Sequence, residues 1–585
     1  MREFAEFVAR GELVDLSLRG RKYTWYRSNG MCKSRIDRAL MNEKWLSLWP
    51  NSLLRGLKRS TSDHCAIMVE PTAADWGAKP FRFLNDWLSH PEFRSKVEES
   101  CREDGVKGWG CFVFKEKLKR LQETLRGWNK EVFGNIDRKM EDLKEEILGL
   151  DRRDEERGLE VTEIVRRKEA STQLLLALKN KKSVLQQKAR LRWLKESDIN
   201  SSYYHKMIHK RRNRNGLWGM EVEGGWSEEP RVVKEAVFKH FSVHFKRRSG
   251  ARMWVPQDFA VRKVSEMEGD GLTRRFSEEE VREAVWDCDL DRSPGPDGFN
   301  LGFFKACWDI IKGDLCRVFE EFYVNGRITR GCNSFFIVLI PKKEGATRLS
   351  QFRPVSLIGS LYKVIVKVLA RRMRPVMESV IGESQSAFIQ GRNILDGIIV
   401  LNEVVEEAKK RKSKRVIFKI DFAKAYDSIE WEFLLTLMER MNFPGKWRKW
   451  VRECISTASA NVLVNGSPSV EFQLERGVRQ GDPLSPFLFL IATEGLNLLM
   501  NRAVDRGIIR PAKVGRDGVC ISHLQYADDT IFIIDGAEEN ARSIRGVLKV
   551  FELLSGLAVN YDLLALICRM RKCIGLQISF DVRKD

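Results

Sequence analysis

An α+β fold is what this sequence predicts, on three observations. Runs at 336–340 (Phe-Ile-Val-Leu-Ile) and 416–420 (Val-Ile-Phe-Lys-Ile) have the length and the β-branched and aromatic content of buried strands. Residues 521–534 read as two strands flanking a polar turn. Segments 361–373 and 396–408 carry helical spacing, but strands and helices do not alternate as in a parallel βα array. The chain has 585 residues, 43% of them hydrophobic and 31% charged, which excludes wholesale disorder and predicts several domains. Its 102 Lys and Arg against 81 Asp and Glu leave a net charge of +21, which points to a polyanionic partner, most simply nucleic acid.

From the N-terminus, residues 1–71 read as short strands (13–16, 22–25, 66–69) separated by Gly-, Ser- and Asn-rich turns. The opening segment is no signal peptide, because charges interrupt any apolar core. Residues 71–80 read as a linker. From about Lys115 the register becomes helical: Leu118, Leu121, Leu125, Trp128 and Val132 follow 3,4 spacing, and Ile136, Met140, Leu143, Ile147 and Leu150 continue it. Both a coiled-coil hairpin and an amphipathic helix packed on its own domain fit that stripe. Between Lys179 and Arg214 stand twelve Lys or Arg and two acids, with Trp193, Tyr203, Tyr204, His205 and His209 interleaved. Basic residues neutralise phosphates and aromatic rings stack on bases, so Lys181, Lys182, Arg190, Arg192, Arg211 and Arg212 are candidate nucleic-acid contacts. A solvated helix face is the alternative.

The twelve cysteines are scattered without finger spacing, so no zinc is expected and a reducing, intracellular setting is. The apolar run 483–500 contains Glu494 and follows Asp482-Pro483, an N-cap and helix-start pair. It reads as a buried helix rather than a membrane span, and a soluble protein is expected.

Chemistry concentrates at two carboxylate sites at the ends of apolar strands. One is Asp421 in Phe418-Lys419-Ile420-Asp421-Phe422; the other is Tyr526-Ala527-Asp528-Asp529. Adjacent aspartates between apolar strands repel unless a cation or water holds them. Brought together, Asp421, Asp528 and Asp529 would form a hard-oxygen Mg²⁺ site, whereas the Asp-Asp turn alone would be an ordinary hairpin tip. Gln480 and Gly481 lie in a Gly- and Pro-rich entry to the apolar helix. Lys342 and Arg353 are cations upstream that would hold a triphosphate.

Six blocks now stand in order: IPKK, FRPVSL, QSAFIQGRNILD, KIDFAKAYDSI, GVRQGDPLSP and YADD, preceded by Ser-Pro-Gly-Pro-Asp-Gly-Phe at 293–299. Together, over about Ser293 to Asn560, they resemble the reverse transcriptases of LINE-type (non-LTR) retrotransposons, especially those of plants. The resemblance implies a right-hand polymerase of fingers and palm with an antiparallel sheet. It implies an RNA template, a DNA primer, deoxynucleoside triphosphates and two Mg²⁺ ions, with Mn²⁺ as a substitute. Asp421 and Asp528 would bind the metals with Asp529 adjacent. Tyr426 would exclude a 2′-hydroxyl, Gln480 and Gly481 would pack on nucleotide and template, and Lys342 and Arg353 would hold the triphosphate.

The N-terminal pieces Ser34-Arg35-Ile36-Asp37-Arg38 and Ser62-Asp63-His64-Cys65 resemble the closing part of an exonuclease-endonuclease-phosphatase-type endonuclease. His64, Asp63 and Asp37 would be the remnant of its site, because the family's metal-binding Glu lies upstream. After Asn560 the familiar pattern stops, and no thumb, zinc knuckle or ribonuclease H segment is visible. The expected layout is an endonuclease remnant (1–71), a helical basic linker (72–262) and an N-terminal extension (263–334), then fingers and palm (335–562) and an atypical tail (563–585). A truncated polymerase is the leading expectation, a catalytically inactive nucleic-acid-binding relic its rival. The basic run 409–415 reads as a nuclear localisation signal or a plain basic loop, and suggests a nuclear protein.

Overall fold

The computed structural model describes residues 2–560, apart from 190–200, 249–259 and short loop stretches, together with residues 565–569. Before Pro71 the expected strands at Val14–Asp15 and Ile67–Glu70 form, but the 22–25 run is paired only at Trp25–Tyr26. Two helices, Arg2–Arg10 and Glu43–Leu48, stand where only strands and turns were expected. Val14, Leu16, Ala39, Leu46 and Leu54 gather into a small core of their own.

The stretch expected as a linker is in part a packing strap. Within it Trp76, and just after it Phe81, are buried in the same cluster as Phe335 and Val559 of the C-terminal half. Apolar side chains this large gain roughly 1.5–3 kcal/mol each on burial, enough to fasten a segment without regular structure. The helical stripe divides between two partners. In α1 (Gly110–Val132), Leu118, Leu121, Leu125 and Trp128 are buried in that main core. Helix α2 (Ile136–Arg157) instead doubles back on α3 (Val161–Ala189), with Glu146 paired to Arg166 and Asp154 to Arg167 across an antiparallel hairpin. Helices α4 (Ser201–Asn215) and α5 (Pro230–His244) follow.

Two sheets carry the C-terminal half. In the first, β1 (Ser334–Pro341) pairs antiparallel with β2 (Phe352–Ile358) and parallel with β4 (Ser459–Val464). The second is antiparallel throughout, in the order β5 (His523–Tyr526), β6 (Asp529–Asp535), β3 (Arg415–Ile420) and β7 (Ala565–Arg569). The helices α6 (Ser360–Val380), α7 (Ile394–Lys410), α8 (Ser485–Asp505) and α9 (Glu538–Ser555) complete this half. Among the described helices, α8 is the one long and apolar enough to cross a membrane, but 78% of its most apolar stretch is buried inside the protein.

The Ser-Pro-Gly-Pro-Asp-Gly-Phe turn has a structural use. A Cβ on Gly295 would collide with the Ile358–Gly359 backbone, so only glycine lets the turn lie against the end of β2. Asp297, buried there, accepts the Ser360 N–H and so caps α6; burial pushes its carboxyl up to about 7.

Candidate active site

Strand register assembles the carboxylates. Ile420 ends β3 opposite Thr530, which carries Asp421 to the level of Asp529 on β6. Tyr526 pairs with Asp529, so Ala527 and Asp528 form a two-residue hairpin tip beside them. Ala527 stands at φ +54°, a left-handed conformation that costs a Cβ-bearing residue about 1 kcal/mol. Behind Asp421 the chain is fastened by the Asn560 N–H to its carbonyl, at 2.9 Å.

Burial, and next the charge of Asp529, hold the Asp421 carboxyl above its ordinary range; Lys419 and Lys342 act in the opposite direction. Asp528 is raised by burial first, with the charges of Asp529 and Asp421 adding to it. Asp529 itself pairs with Lys419 Nζ at 2.7 Å. Two half-buried oxygen donors that repel one another fit a hard divalent cation. Among the described residues, no three His, Cys, Asp or Glu side chains converge into a metal cage. None is needed where water and substrate phosphates fill the remaining positions.

Of the other expected residues, Tyr426 and Lys342 lie within electrostatic reach of these carboxylates, whereas Gln480, Gly481 and Arg353 lie on or against β2. The Tyr426 ring lies on Phe489 with centroids 4.8 Å apart and planes 18° from parallel. Its phenol is pushed up to about 12, by burial and then by the charge of Asp528. The Tyr426 carbonyl accepts the Val478 N–H at 2.7 Å, which ties it to the glycine loop. Gly477, at φ +80°, makes that approach possible, because a Cβ would strike the Asp427 backbone. The Gln480 carbonyl accepts the Ser356 N–H at 2.9 Å, and Gly481, at φ +101°, faces the Ser356 carbonyl. The loop is thus docked on β2. Lys342 donates to the Ser350 carbonyl at 3.2 Å, and its charge reaches Asp421. Arg353 is exposed on β2 opposite Ile340.

Asp482 and Pro483 do not begin the apolar helix. It starts at Ser485 with Leu484 as cap and Pro486 in its first turn. Asp482 is drawn instead into a buried pair with Arg479 at 3.2 Å and accepts the Leu484 N–H at 2.9 Å. Arg479 also donates to Tyr362, Asn333 and the Cys454 carbonyl. Sequence reasoning gave no role to Arg479, Lys419 or Gln385. The signal for all three was their place inside the recognised blocks.

Residues 340–573 match the reverse transcriptase (RNA-dependent DNA polymerase) family. The TX1 transposon 149 kDa protein of Xenopus laevis is 24% identical over 568 residues, covering 92% of this chain and 41% of that protein. The Pol polyprotein of a type-1 R2 retrotransposable element from Nasonia vitripennis is 26% identical over 47% of this chain and 25% of its own length. Over residues 340–573 the chain is thus similar to reverse transcriptases, and both relatives are named as proteins of transposable elements. It spans about two fifths of the first relative and about a quarter of the second. A solved telomerase from Candida albicans in complex with a telomeric RNA fragment gives a TM-score of 0.31 at 13% identity, over 41% of this chain and 43% of that one, too distant a likeness to argue from.

Upstream of the matched residues, His64 Nδ1 lies 3.0 Å from Asp37 Oδ2. Burial raises the Asp37 carboxyl, but hydrogen bonds from Thr24 and His64 outweigh it and leave the carboxyl below its ordinary range. Asp63 turns elsewhere and accepts the Trp25 indole N–H at 2.9 Å. In the basic region, Lys181 pairs with Asp137 at 2.8 Å and Arg211 donates to the Ala189 carbonyl at 2.9 Å. Lys182 is half-buried, and Arg190 and Arg192 lie outside the described residues. Burial lowers Arg212. Lys79 is lowered by burial and then by the charges of Arg212, Arg82 and Lys188, so the strap and the basic helices present cations together.

Proposed function

We propose that this chain is an RNA-directed DNA polymerase that extends a DNA primer on an RNA template. The observation that carries the reading is the approach of Asp421, at the end of β3, to Asp528 at the neighbouring hairpin tip, each carboxyl raised by burial and by neighbouring carboxylates. Asp421 and Asp528 would hold Mg²⁺, two ions in this reading, with Mn²⁺ as substitute; Asp529, engaged by Lys419, would orient the site. Divalent cations there supply Lewis-acid chemistry, activating the primer 3′-hydroxyl and neutralising charge on the departing pyrophosphate. Lys342, close enough to act on Asp421, would steady the triphosphate with Arg353, and Gln480 and Gly481 would support the incoming base pair from β2. Primer extension on RNA with Mg²⁺ is the direct test. Extension supports the reading; tight RNA binding without any extension points to a nucleic-acid-binding relic.

Tyr426, braced by Phe489 beside Asp528, would block a sugar 2′-hydroxyl by bulk. Replacing it by Val should therefore raise ribonucleotide over deoxyribonucleotide incorporation by about tenfold or more, the worth of roughly 1.4 kcal/mol of lost exclusion. Single-nucleotide addition with each substrate measures the ratio, and an unchanged ratio assigns Tyr426 to packing alone.

The cations Lys79, Lys188 and Arg212 would grip the template backbone. Changing all three to Ala should lower the slope of log affinity against log salt by about 0.7 per lost phosphate contact on single-stranded RNA. Fluorescence anisotropy across a salt series measures it; an unmoved slope returns these side chains to a solvated surface.

The Asp37–His64 pair supports the reading of residues 1–71 as an endonuclease remnant, in which Asp37 fixes the imidazole tautomer. Nuclear localisation through the basic run 409–415 is the companion proposal, and imaging the tagged protein with and without that run tests it.

A further inference from the structure

We infer that Gln385 is a positioning residue for the polymerase reaction, a clamp that holds Asp528 by fixing the backbone of Ala527. The inference rests on the polymerase reading above and deepens it. Gln385 is 1% exposed. Its Oε1 accepts the Ala527 N–H at 3.0 Å and the Ala387 N–H at 3.0 Å. Its Nε2 donates to the Ala527 carbonyl at 3.4 Å. A single side-chain amide therefore meets both polar groups of one residue, a task that needs a donor and an acceptor on the same planar group.

Ala527 needs such a hold. At φ +54° it stands in a conformation that residues with a Cβ rarely adopt, next to Asp528 at the hairpin tip, whose carboxyl feels the charge of Asp421. Released, the tip would relax toward ordinary backbone angles and swing the Asp528 carboxylate with it.

The clamp is itself anchored. The Gln525 N–H donates to the Ser384 carbonyl at 2.7 Å, and the Ser386 N–H donates to the Gln525 carbonyl at 3.1 Å, so the loop adds a short parallel bridge to the edge of β5. Arg392 donates to the carbonyls of Gln385 at 2.7 Å and Ile381 at 3.1 Å, and the Gly382 N–H donates to Glu494 Oε2 at 3.1 Å. Through these bonds Arg392, just ahead of α7, and Glu494 of α8 fix the loop from which Gln385 reaches the hairpin.

The test compares Gln385→Leu, and Gln385→Met as a second shape-conserving variant, with the same changes combined with Ala527→Gly. A glycine adopts the left-handed conformation without help, so it should restore what the clamp supplied. In the full chain, Gln385→Leu should lower the maximal rate of single-nucleotide addition by about tenfold to a hundredfold, the usual effect of a misplaced reacting group. The KM for the nucleotide and the affinity for template–primer should stay within about twofold. Adding Ala527→Gly should recover most of the rate. Amide hydrogen exchange at Ala527 gives a readout independent of activity, and protection there should be lost in the single variants. An unchanged rate, a rate loss that glycine does not recover, or unaltered Ala527 protection overturns the clamp. Absence of extension by the wild-type chain overturns the polymerase reading instead, and leaves the exchange measurement to decide the hold on the hairpin.

Discussion

Asp421→Asn and Asp528→Asn should each reduce primer extension by about three orders of magnitude or more. A carboxylate that holds a divalent cation contributes several kcal/mol of charge stabilisation, and each 1.36 kcal/mol is tenfold in rate. An amide keeps the shape and loses the charge. The same substitutions should leave the fold as stable as before or slightly more so. Burial, and then the charge of Asp529, raise both carboxyls in the folded protein, so their ionisation opposes folding as pH rises, and an uncharged amide removes that cost. Asp529→Asn should cost less, because that carboxylate faces Lys419 at 2.7 Å. Steady-state primer extension, RNA affinity and thermal unfolding are measured in parallel. Extension at wild-type rates in either variant would remove Asp421 and Asp528 from the metal site.

Arg479→Met should be among the most destabilising single changes in the domain, by roughly 3–5 kcal/mol, the cost of breaking a buried ion pair. Arg479 and Asp482 are each only 4% exposed at the side chain and lie 3.2 Å apart. The guanidinium also covers the Tyr362 ring at 4.1 Å and bonds the Cys454 carbonyl at 2.9 Å. Methionine fills much of the space but leaves the Asp482 carboxylate buried without its cation. The double variant with Asp482→Asn should regain a large part of the loss, since the amide keeps an acceptor for the Leu484 N–H and buries no charge. Chemical denaturation of the two variants and the wild type measures this. A midpoint unmoved in Arg479→Met, or a double variant no better than the single one, would show that the network does not support the glycine loop.

The local pattern was enough to find the strands that carry the site. Four apolar residues around Lys419 at 416–420, rich in β-branched and aromatic side chains, and the polar tip between 521 and 534 read as a buried strand and a hairpin, and the fold forms both. The same holds for the apolar helix after Pro483, whose composition demands burial. Its first turn was misplaced, because Asp482 has two competing uses and sequence shows only one. As a cap it would serve a helix beginning at 483; in the fold it answers the buried Arg479, and the helix starts later. The stripe from Leu118 to Leu150 fails for a related reason. Helical spacing says which face is apolar but not what covers it, and tertiary packing gave half to the main core and half to a hairpin.

By itself, the sequence determined which residues carry charge, which runs bury themselves, and the order of blocks that resembles the reverse transcriptases. Only the tertiary structure decided that Lys419 engages Asp529, that Trp76 and Phe81 belong to the main core, and that Gln385 grips Ala527. Each of these joins residues far apart in the chain or on different strands. Local propensity depends on neighbours along the backbone, whereas such contacts depend on strand register and on the geometry with which the sheets and helices close around the hairpin.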